Sequence, residues 1–184
     1  MALVYLVQHA HKQPEPGDPG LTDTGERQAA RTGQWLGRLG LRAVYSSPMR
    51  RAWQTAEPIA ALHGLTVRPD ERLRERMNWD GTQPLEEFMA DWTRCVHDRD
   101  FVPRAGDSSR QAGSRMAEFL REVADQPGPV AAVSHGGVTV DLLRTLLGDQ
   151  ALPASLLYEG VPSCAITTFK ALTVVEIAHT DHLL

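Results

Sequence analysis

Two histidines of this chain stand in similar surroundings, each shortly after an apolar segment. His9 follows the run ALVYLV in the stretch LVQHAHK, and His135 follows PVAAV in the stretch VSHGG. Imidazole has the side-chain pKa nearest to neutral pH, so a histidine there can act as a nucleophile or a general base. It can equally be a residue at the end of a strand whose ring bonds to the backbone. The two segments alone leave both interpretations open.

Groups that bind anions follow two of the apolar segments. After LRAVY the chain continues as SSPMRRAWQTA, in which Ser47 and Pro48 are typical of a helix N-terminus and two arginines, Arg50 and Arg51, come next. Helical side chains lean toward the N-terminus of their helix, so either arginine would point toward the end of the preceding segment. The glycine pair after His135 opens another helix, whose free N–H groups favour an anion.

Segments typical of strands and helices alternate along the chain. The strands predicted from short apolar runs are ALVYLV, LRAVY, PVAAVS, CAITTFK and TVVEIA, the last two closing the sheet at its edge. The predicted helices are TDTGERQAARTGQWLGRL, the segment after Ser47, PLEEFMADWTRCV over the sheet, the segment after a capping box from Ser108 to Gln111, and VTVDLLRTLLG. Residues 67–79 are predicted as a charged connection.

This alternation predicts an α/β three-layer sandwich with a mostly parallel central sheet flanked by helices. The length of 184 residues fits a single domain over residues 1–184. Ligands of such sheets bind outside the carboxyl ends of the strands, so His9, the segment from Ser46 to Arg51, and His135 should meet in one crevice.

Composition narrows the partners. The net charge of −4 favours neither a nucleic-acid surface nor a membrane-bound basic patch, and no apolar stretch has the length of a membrane span. Cys95 and Cys164 are the only cysteines and suit the reducing cytoplasm. We therefore expect a cytoplasmic protein with a small-molecule partner and no nucleic acid or membrane partner.

Histidine pairs also raise the question of a metal. His9 and His11 flank one alanine, and HTDH stands near the C-terminus. Neither pair has a third ligand at a recognisable spacing, so we expect no metal and no cofactor.

In their order and spacing, the motifs resemble the histidine phosphatase superfamily of phosphoglycerate-mutase-like proteins. LVQHA stands where that family has L-V-R-H-G, LTDTGERQA matches L-T-x-x-G-x-x-Q-A, and SSPMRRAWQTA matches S-S-x-x-x-R-A-x-x-T-A. RLRER carries the acid of an L-x-E motif, GDS is similar to a G-E-S turn, and VSHGG holds the second histidine. The resemblance covers most of the chain.

The resemblance implies a role for each of these residues. His9 would be the nucleophile that forms a phosphohistidine, which water then cleaves. His135 would stabilise the charge on the transferring phosphoryl group, and Arg51 and the N–H of Gly136 would bind phosphate. Glu75 would be the general acid for the leaving oxygen and then the base for water.

Two positions depart from the family pattern. Gln8 replaces the arginine before the nucleophile, and Ala10 replaces the glycine after it. A hydrogen bond from a charged group contributes about 1.5–3 kcal/mol and a neutral one about half as much, so Gln8 would still bind phosphate but more weakly. Lys12 and Arg50 are candidates to restore positive charge, although Lys12 can also be a solvated loop lysine.

The implied function is a metal-independent phosphatase that hydrolyses small phosphomonoesters. One alternative is a phosphotransferase of the phosphoglycerate mutase type, although residues 75–134 leave little room for the insertions that close over a mutase substrate. The other is a phospho-ligand binding or regulatory module weakened by Gln8, which would not need the acid Glu75. The exposed closing strands permit a homodimer. Substrate choice would depend on the loop after His9, on residues 77–92, whose aromatic side chains form either an apolar wall or a core, and on the region near Arg104.

Overall fold

A six-stranded sheet with helices on both faces makes up the computed structural model, which describes residues 1–184. The strands are β1 (Leu3–Gln8), β2 (Ala43–Ser46), β3 (Val67–Pro69), β4 (Val130–Ser134), β5 (Ile166–Lys170) and β6 (Thr173–His179). The α-helices are α1 (Asp23–Leu36), α2 (Arg50–Ala61), α3 (Leu85–His97), α4 (Ser109–Ala124), α5 (Gly136–Leu147) and α6 (Ala154–Glu159). Short 3₁₀ helices cover Glu71–Leu73, Asp149–Ala151 and Asp181–Leu183. No helix has both the length and the apolar character needed to cross a membrane.

The strand order is β3-β2-β4-β1-β5-β6. The four strands from β3 to β1 pair in parallel, and β5 and β6 add two antiparallel pairings at one side. This arrangement confirms the predicted α/β fold with a mostly parallel sheet, and it places β6 at the predicted edge.

The central strand β1 is buried on both faces. Val4 and Leu6 pack in one apolar cluster with residues of α4 and α5, while Tyr5 and Val7 pack in a second cluster with residues of α1 and α2. Side chains of a strand alternate between the two faces of a sheet, so a continuous apolar run needs a helical layer on each side. These two clusters are the cores of the three-layer sandwich.

The helix after β2 begins later than predicted. Met49 is its N-cap and Arg50 its first residue, whereas the sequence pattern placed the cap at Ser47. The Ser47 hydroxyl accepts a hydrogen bond from the backbone N–H of Met49 at 3.3 Å and also contacts His135. The prediction is wrong by two residues because Ser47 forms a turn that precedes the helix.

Two further elements differ from the predictions. Residues 67–69 form the short edge strand β3, which pairs only with β2 and buries only part of Val67, so no apolar pattern marks it. Helix α3 does not lie over the sheet. Phe88 and Cys95 of this helix form a separate apolar cluster with Met77, because α1, α2, α4 and α5 already cover both sheet faces.

Candidate active site

The two histidines lie at the ends of neighbouring parallel strands. His9 comes directly after β1 and His135 directly after β4, and the register of the two strands pairs Gln8 with Ser134. The ring centroids are 5.1 Å apart with an angle of 64° between the planes. Both side chains are buried, His9 with 8% of its surface exposed and His135 with none. Sheet geometry thus brings the two imidazoles face to edge.

Hydrogen bonding orients the His9 ring. Its Nδ1 lies 2.8 Å from the carbonyl oxygen of Ala10, which can only accept, so Nδ1 carries the proton and donates. Nε2 then bears the lone pair, which accepts a hydrogen bond from Nε of Arg51 at 3.3 Å, and Nε2 of Gln8 lies 3.5 Å from it. Burial, and secondly the Arg51 guanidinium, lower the pKa of His9 to about 3. The imidazole is therefore neutral at physiological pH.

Residues of two sequence motifs hold the loop after β1. The backbone N–H of Ala10 donates to the Thr55 hydroxyl at 3.0 Å, and that of His11 donates to Oε1 of Gln28 at 2.9 Å. Gly25 lies so close that a Cβ there would come within 2.0 Å of the His11 carbonyl oxygen. The glycine and glutamine of LTDTGERQA and the threonine of SSPMRRAWQTA thus position the loop that carries His9.

The second imidazole is held by a serine. Nε2 of His135 lies 2.8 Å from the hydroxyl oxygen of Ser47, while the buried Nδ1 has no hydrogen-bond partner. Burial, followed by the charge of Arg51 and by His9, lowers the pKa of His135 well below its usual value. Sequence reasoning treated Ser47 as a helix cap and missed this contact, although the S-S motif was a signal for it.

The structure distinguishes between the two adjacent arginines. The Arg51 side chain is only 5% exposed, and its Nη2 donates to Oδ1 of Asn78 at 3.3 Å while the buried Nη1 has no hydrogen-bond partner. Arg50 is exposed and lies outside the cavity that Arg51 lines. Burial lowers the pKa of Arg51, and the charges of Glu75 and then of Asp18, which lies 4.0 Å from Nη1, partly oppose this effect.

Glu75 lies against the N-terminus of α5. Its Oε2 accepts from the backbone N–H of Gly137 at 2.9 Å, and its Oε1 accepts from Val138 and Arg76 at 2.7 Å each. A Cβ at position 137 would be 2.8 Å from Glu75 Oε1 and 2.6 Å from the Trp92 ring, so this approach requires glycine. The amides of residues 137 and 138, which we expected to favour a phosphate, bind this carboxylate instead.

Two further residues predicted to bind phosphate, Gln8 and Lys12, lie in surroundings that differ from each other. Gln8 is buried, its Oε1 has no hydrogen-bond partner, and its Nε2 lies 3.4 Å from the position that a Cβ of Gly136 would take. Lys12 is half-buried and lines the cavity, and its Nζ donates to the carbonyl oxygen of Gln13 at 3.2 Å. Burial and then the Arg51 charge lower the pKa of Lys12.

A cavity of about 320 Å³ opens beside His9. It is lined by His9, Lys12, Pro14, Glu15, Gly17, Pro19, Arg51, Glu75, Met77, Asn78, Trp79, Leu85, Phe88 and Trp92. Phe88 and Trp92 belong both to the cavity lining and to the small apolar cluster with Met77. The aromatic side chains of residues 77–92 therefore form an apolar wall and a core at the same time. Arg104 lies outside the lining and pairs with Glu87 at 3.0 Å.

A buried ion pair joins the cavity wall to α5. Nη1 of Arg76 lies 2.8 and 2.9 Å from the two carboxylate oxygens of Asp141, and both side chains are almost fully buried. The Arg76 guanidinium also lies 4.2 Å from the centroid of the Trp92 ring. Burial raises the pKa of Asp141 to about 6, against the opposing effect of Arg76. The charged connection predicted over residues 67–79 contains no sequence signal for this pair.

The two histidine pairs considered as metal ligands have different surroundings. His11 is exposed and bonds through Nδ1 to the Thr22 hydroxyl at 2.8 Å. His179 and His182 stack at 5.8 Å and lie beside Trp35. No group of three or more His, Cys, Asp or Glu side chains is arranged to hold a metal ion.

Comparison with known proteins places this geometry in a family. The sequence profile of the histidine phosphatase superfamily (branch 1) matches residues 4–171. Phosphoserine phosphatase 1 of Hydrogenobacter thermophilus is 31% identical over 150 residues, which cover 73% of this chain and 71% of that protein. A probable phosphoglycerate mutase of Erwinia tasmaniensis is 33% identical over 171 residues, which cover 84% of this chain and 78% of that protein.

A solved structure extends the likeness to the whole fold. Mycobacterial glucosyl-3-phosphoglycerate phosphatase in complex with inorganic phosphate has a TM-score of 0.77 and 25% sequence identity to this chain, and the match covers 99% of both chains. The profile match spans both histidines, Arg51 and Glu75. On the agreement of sequence, fold and site geometry, this chain belongs to the histidine phosphatase superfamily, branch 1.

Proposed function

We propose that this protein is a phosphoric monoester hydrolase that cleaves small phosphomonoesters, without a metal, through a phosphohistidine on His9. One observation carries the proposal. A neutral His9 presents the lone pair of Nε2 next to the buried guanidinium of Arg51, with His135 at 5.1 Å between ring centroids. A nucleophile beside buried cationic and neutral donors is the arrangement that phosphoryl transfer needs.

The proposed reaction has two steps. In the first, Nε2 of His9 bonds to phosphorus, the bond from phosphorus to the leaving oxygen breaks, and Glu75 donates a proton to that oxygen. In the second, water attacks the phosphorus, Glu75 takes a proton from the water, and the bond from phosphorus to Nε2 breaks to release phosphate. Because both His9 and Glu75 line the cavity, one bound ester can reach the two groups.

The negative charge of the phosphoryl group would be stabilised from several sides. Arg51 supplies the buried guanidinium, and the unpartnered Nη1 of this residue is available to a phosphoryl oxygen. His135, the amide of Gln8 and the N–H of Gly136 are the neutral donors, and Lys12 is a second cation at the cavity wall. Gln8 stands where the family motif has arginine, so this site has one buried guanidinium where the family motif supplies two.

A phosphotransferase is the second candidate, because one relative is named a probable phosphoglycerate mutase. The two reactions share the phosphohistidine and differ in what accepts the phosphoryl group. A mutase returns it to another hydroxyl of the substrate, whereas a phosphatase passes it to water. A binding or regulatory module would retain phosphate affinity without either reaction.

Measurements of turnover, isomerisation and phosphate binding on the purified protein separate these functions. The purified protein is incubated with p-nitrophenyl phosphate in the presence of a chelator, and samples denatured with detergent at alkaline pH are examined for a phosphoenzyme that acid then hydrolyses. We expect phosphate release that the chelator does not reduce and that is absent in His9→Ala. Isomerisation of 3-phosphoglycerate without phosphate release would indicate a mutase. Tight phosphate binding with no turnover of any ester would indicate a binding module and refute the proposal.

We also propose that the protein is cytoplasmic, that it is a single domain and that it can form a homodimer. Cys95 and Cys164 are both buried and unbridged, which fits the reducing cytoplasm. All six strands join one sheet, which supports a single domain over residues 1–184. Val175 and Ile177 are exposed on the edge strand β6, which is compatible with a homodimer, and sedimentation velocity would detect one.

A further inference from the structure

We infer that the preferred substrates carry an apolar, flat organic group on the phosphate, and no carboxylate. This inference rests on the proposed phosphatase function and adds the chemical class of the leaving group. It comes from the apolar part of the cavity lining that residues 77–92 contribute, which we call the outer wall and define as Met77, Trp79, Leu85, Phe88 and Trp92. The polar Asn78 of the same segment is hydrogen-bonded to Arg51 and to Gly17.

The outer wall offers an organic group almost only apolar surface. The indole N–H of Trp79 donates to the carbonyl oxygen of Gln83 at 2.9 Å, so it is already used within the protein. Phe88 and Trp92 pack together with 6.3 Å between ring centroids. The faces of aromatic rings of this kind pack well against another flat ring and offer no hydrogen bond to a polar group.

The charges that line the cavity disfavour a second anion on the substrate. The cations of the lining are Arg51 and Lys12, and the anions are Glu15 and Glu75. Arg51 lies beside Nε2 of His9 and would be engaged by the phosphoryl group. A substrate carboxylate would therefore have Lys12 alone as a partner and Glu15 as a nearby like charge, and a poorly paired buried charge is costly.

The other arginines near the wall are already engaged. Arg76 is paired with Asp141 and lies against Trp92, and Arg104 is paired with Glu87 outside the lining. Neither guanidinium is free to receive a carboxylate. With a volume of about 320 Å³, at the lower end for ligand pockets, the cavity has room for a phosphate and a small ring system.

The test compares esters whose leaving groups are all primary alkyl alcohols, so that leaving-group chemistry does not decide the result. Kinetics are measured on the full chain with 2-phenylethyl phosphate, ethyl phosphate, phosphoserine and 3-phosphoglycerate. We expect kcat/KM for 2-phenylethyl phosphate to exceed that for phosphoserine and 3-phosphoglycerate at least tenfold, mainly through a lower KM. The mycobacterial and Hydrogenobacter relatives are named for carboxylate-bearing esters, so these two esters are a demanding comparison.

A pair of leucine variants locates the effect. Leu85 is 50% exposed and lines the outer wall, whereas Leu62 is 56% exposed on the far end of α2 and outside the cavity. We expect Leu85→Ala to raise the KM for 2-phenylethyl phosphate severalfold, with a smaller change for ethyl phosphate. Leu62→Ala should leave both values unchanged.

Equal or higher kcat/KM for phosphoserine or 3-phosphoglycerate would overturn the inference while leaving the phosphatase proposal intact. An unchanged KM in Leu85→Ala together with a strong preference for 2-phenylethyl phosphate would also overturn it, because the outer wall would not be the source of that preference. If none of the four esters were hydrolysed, the proposed function would be refuted, and the inference with it.

Discussion

The cavity has two ends that are built in different ways. Its inner end, lined by His9 and Arg51 with His135 buried beside His9, comes from strand ends and a helix start that the central sheet holds in register. The outer wall comes from residues 77–92, which form their own small cluster beside the sandwich. The inner end is therefore part of the central sandwich, whereas the outer wall forms a separate apolar cluster beside it.

This difference separates chemistry from substrate choice. The inner end is almost fully buried, and its atoms cannot shift without disturbing the pairing of β1 with β4. The outer wall contains a half-exposed Leu85 and is tied to the sandwich by the ion pair of Arg76 with Asp141. Side chains of the wall can therefore differ among relatives while the reacting groups keep their positions.

The largest effect should come from breaking the ion pair of Arg76 with Asp141, which connects the outer wall to the sandwich. In Asp141→Ala the Arg76 guanidinium stays buried without its partner, which should lower the free energy of unfolding by about 3–5 kcal/mol. Urea denaturation measures this loss. The matched control is Asp100→Ala, since the pair of Asp100 with Arg110 is exposed, and there we expect no measurable change. Equal stabilities for the two variants would show that the wall does not depend on the ion pair.

The next effect tests the inner end. Arg51→Ala removes the buried guanidinium next to His9, and the loss of a charged hydrogen bond worth about 1.5–3 kcal/mol corresponds to a roughly ten- to 150-fold lower kcat/KM. Arg50→Ala is the control, because this neighbouring side chain is exposed and outside the cavity. Steady-state kinetics with p-nitrophenyl phosphate compare the two. A larger loss in Arg50→Ala than in Arg51→Ala would contradict the assignment.

A smaller effect concerns the buried amide of Gln8 next to His9. Gln8→Arg should raise turnover up to roughly tenfold, because a charged donor replaces an amide close to Nε2 of His9. Gln8→Ala should lower it, since the buried amide would be lost. Both are followed by kcat and by inhibition with inorganic phosphate. If Gln8→Arg folds and gains nothing, Arg51 and Lys12 already supply the charge that the site needs.

The smallest expected effect concerns pH, because we expect neither His9 nor His135 to titrate near neutral pH. Burial lowers the pKa of His9 to about 3 and that of His135 well below its usual value, so neither ring should take up a proton between pH 8 and pH 5. Imidazole NMR signals, assigned with His9→Ala, measure this. An unfolded chain protonates these rings near pH 6.5, so their contribution to stability is complete above that pH and decreases as the pH falls toward 3. A midpoint near 6.5 in the folded protein would contradict the burial effect.

Much of the fold could be predicted because its signals are local. Continuous apolar runs predicted the buried strands β1 and β4, the capping box of Ser108 and Gln111 marked the start of α4, and Gly148 marked the end of α5. The edge strand β3 has no such pattern, since only one neighbour pairs with it and two of its three residues are exposed. The position of α3 was also missed, because periodicity identifies an apolar face and not the surface that the face covers.

The sequence by itself determined which chemical groups are present and that strand ends carry them, because residue types and the periodicity of burial are properties of the chain alone. It therefore indicated His9 and His135 as partners in one crevice. Periodicity left Arg50 and Arg51 equivalent, and only the resemblance to the family motif favoured Arg51. Only the tertiary structure decided that Arg51 enters the cavity, that Glu75 sits on the amides of α5, and that Arg76 and Asp141 form a buried pair. These are contacts between segments far apart along the chain, and they depend on packing distances and desolvation that no local pattern records.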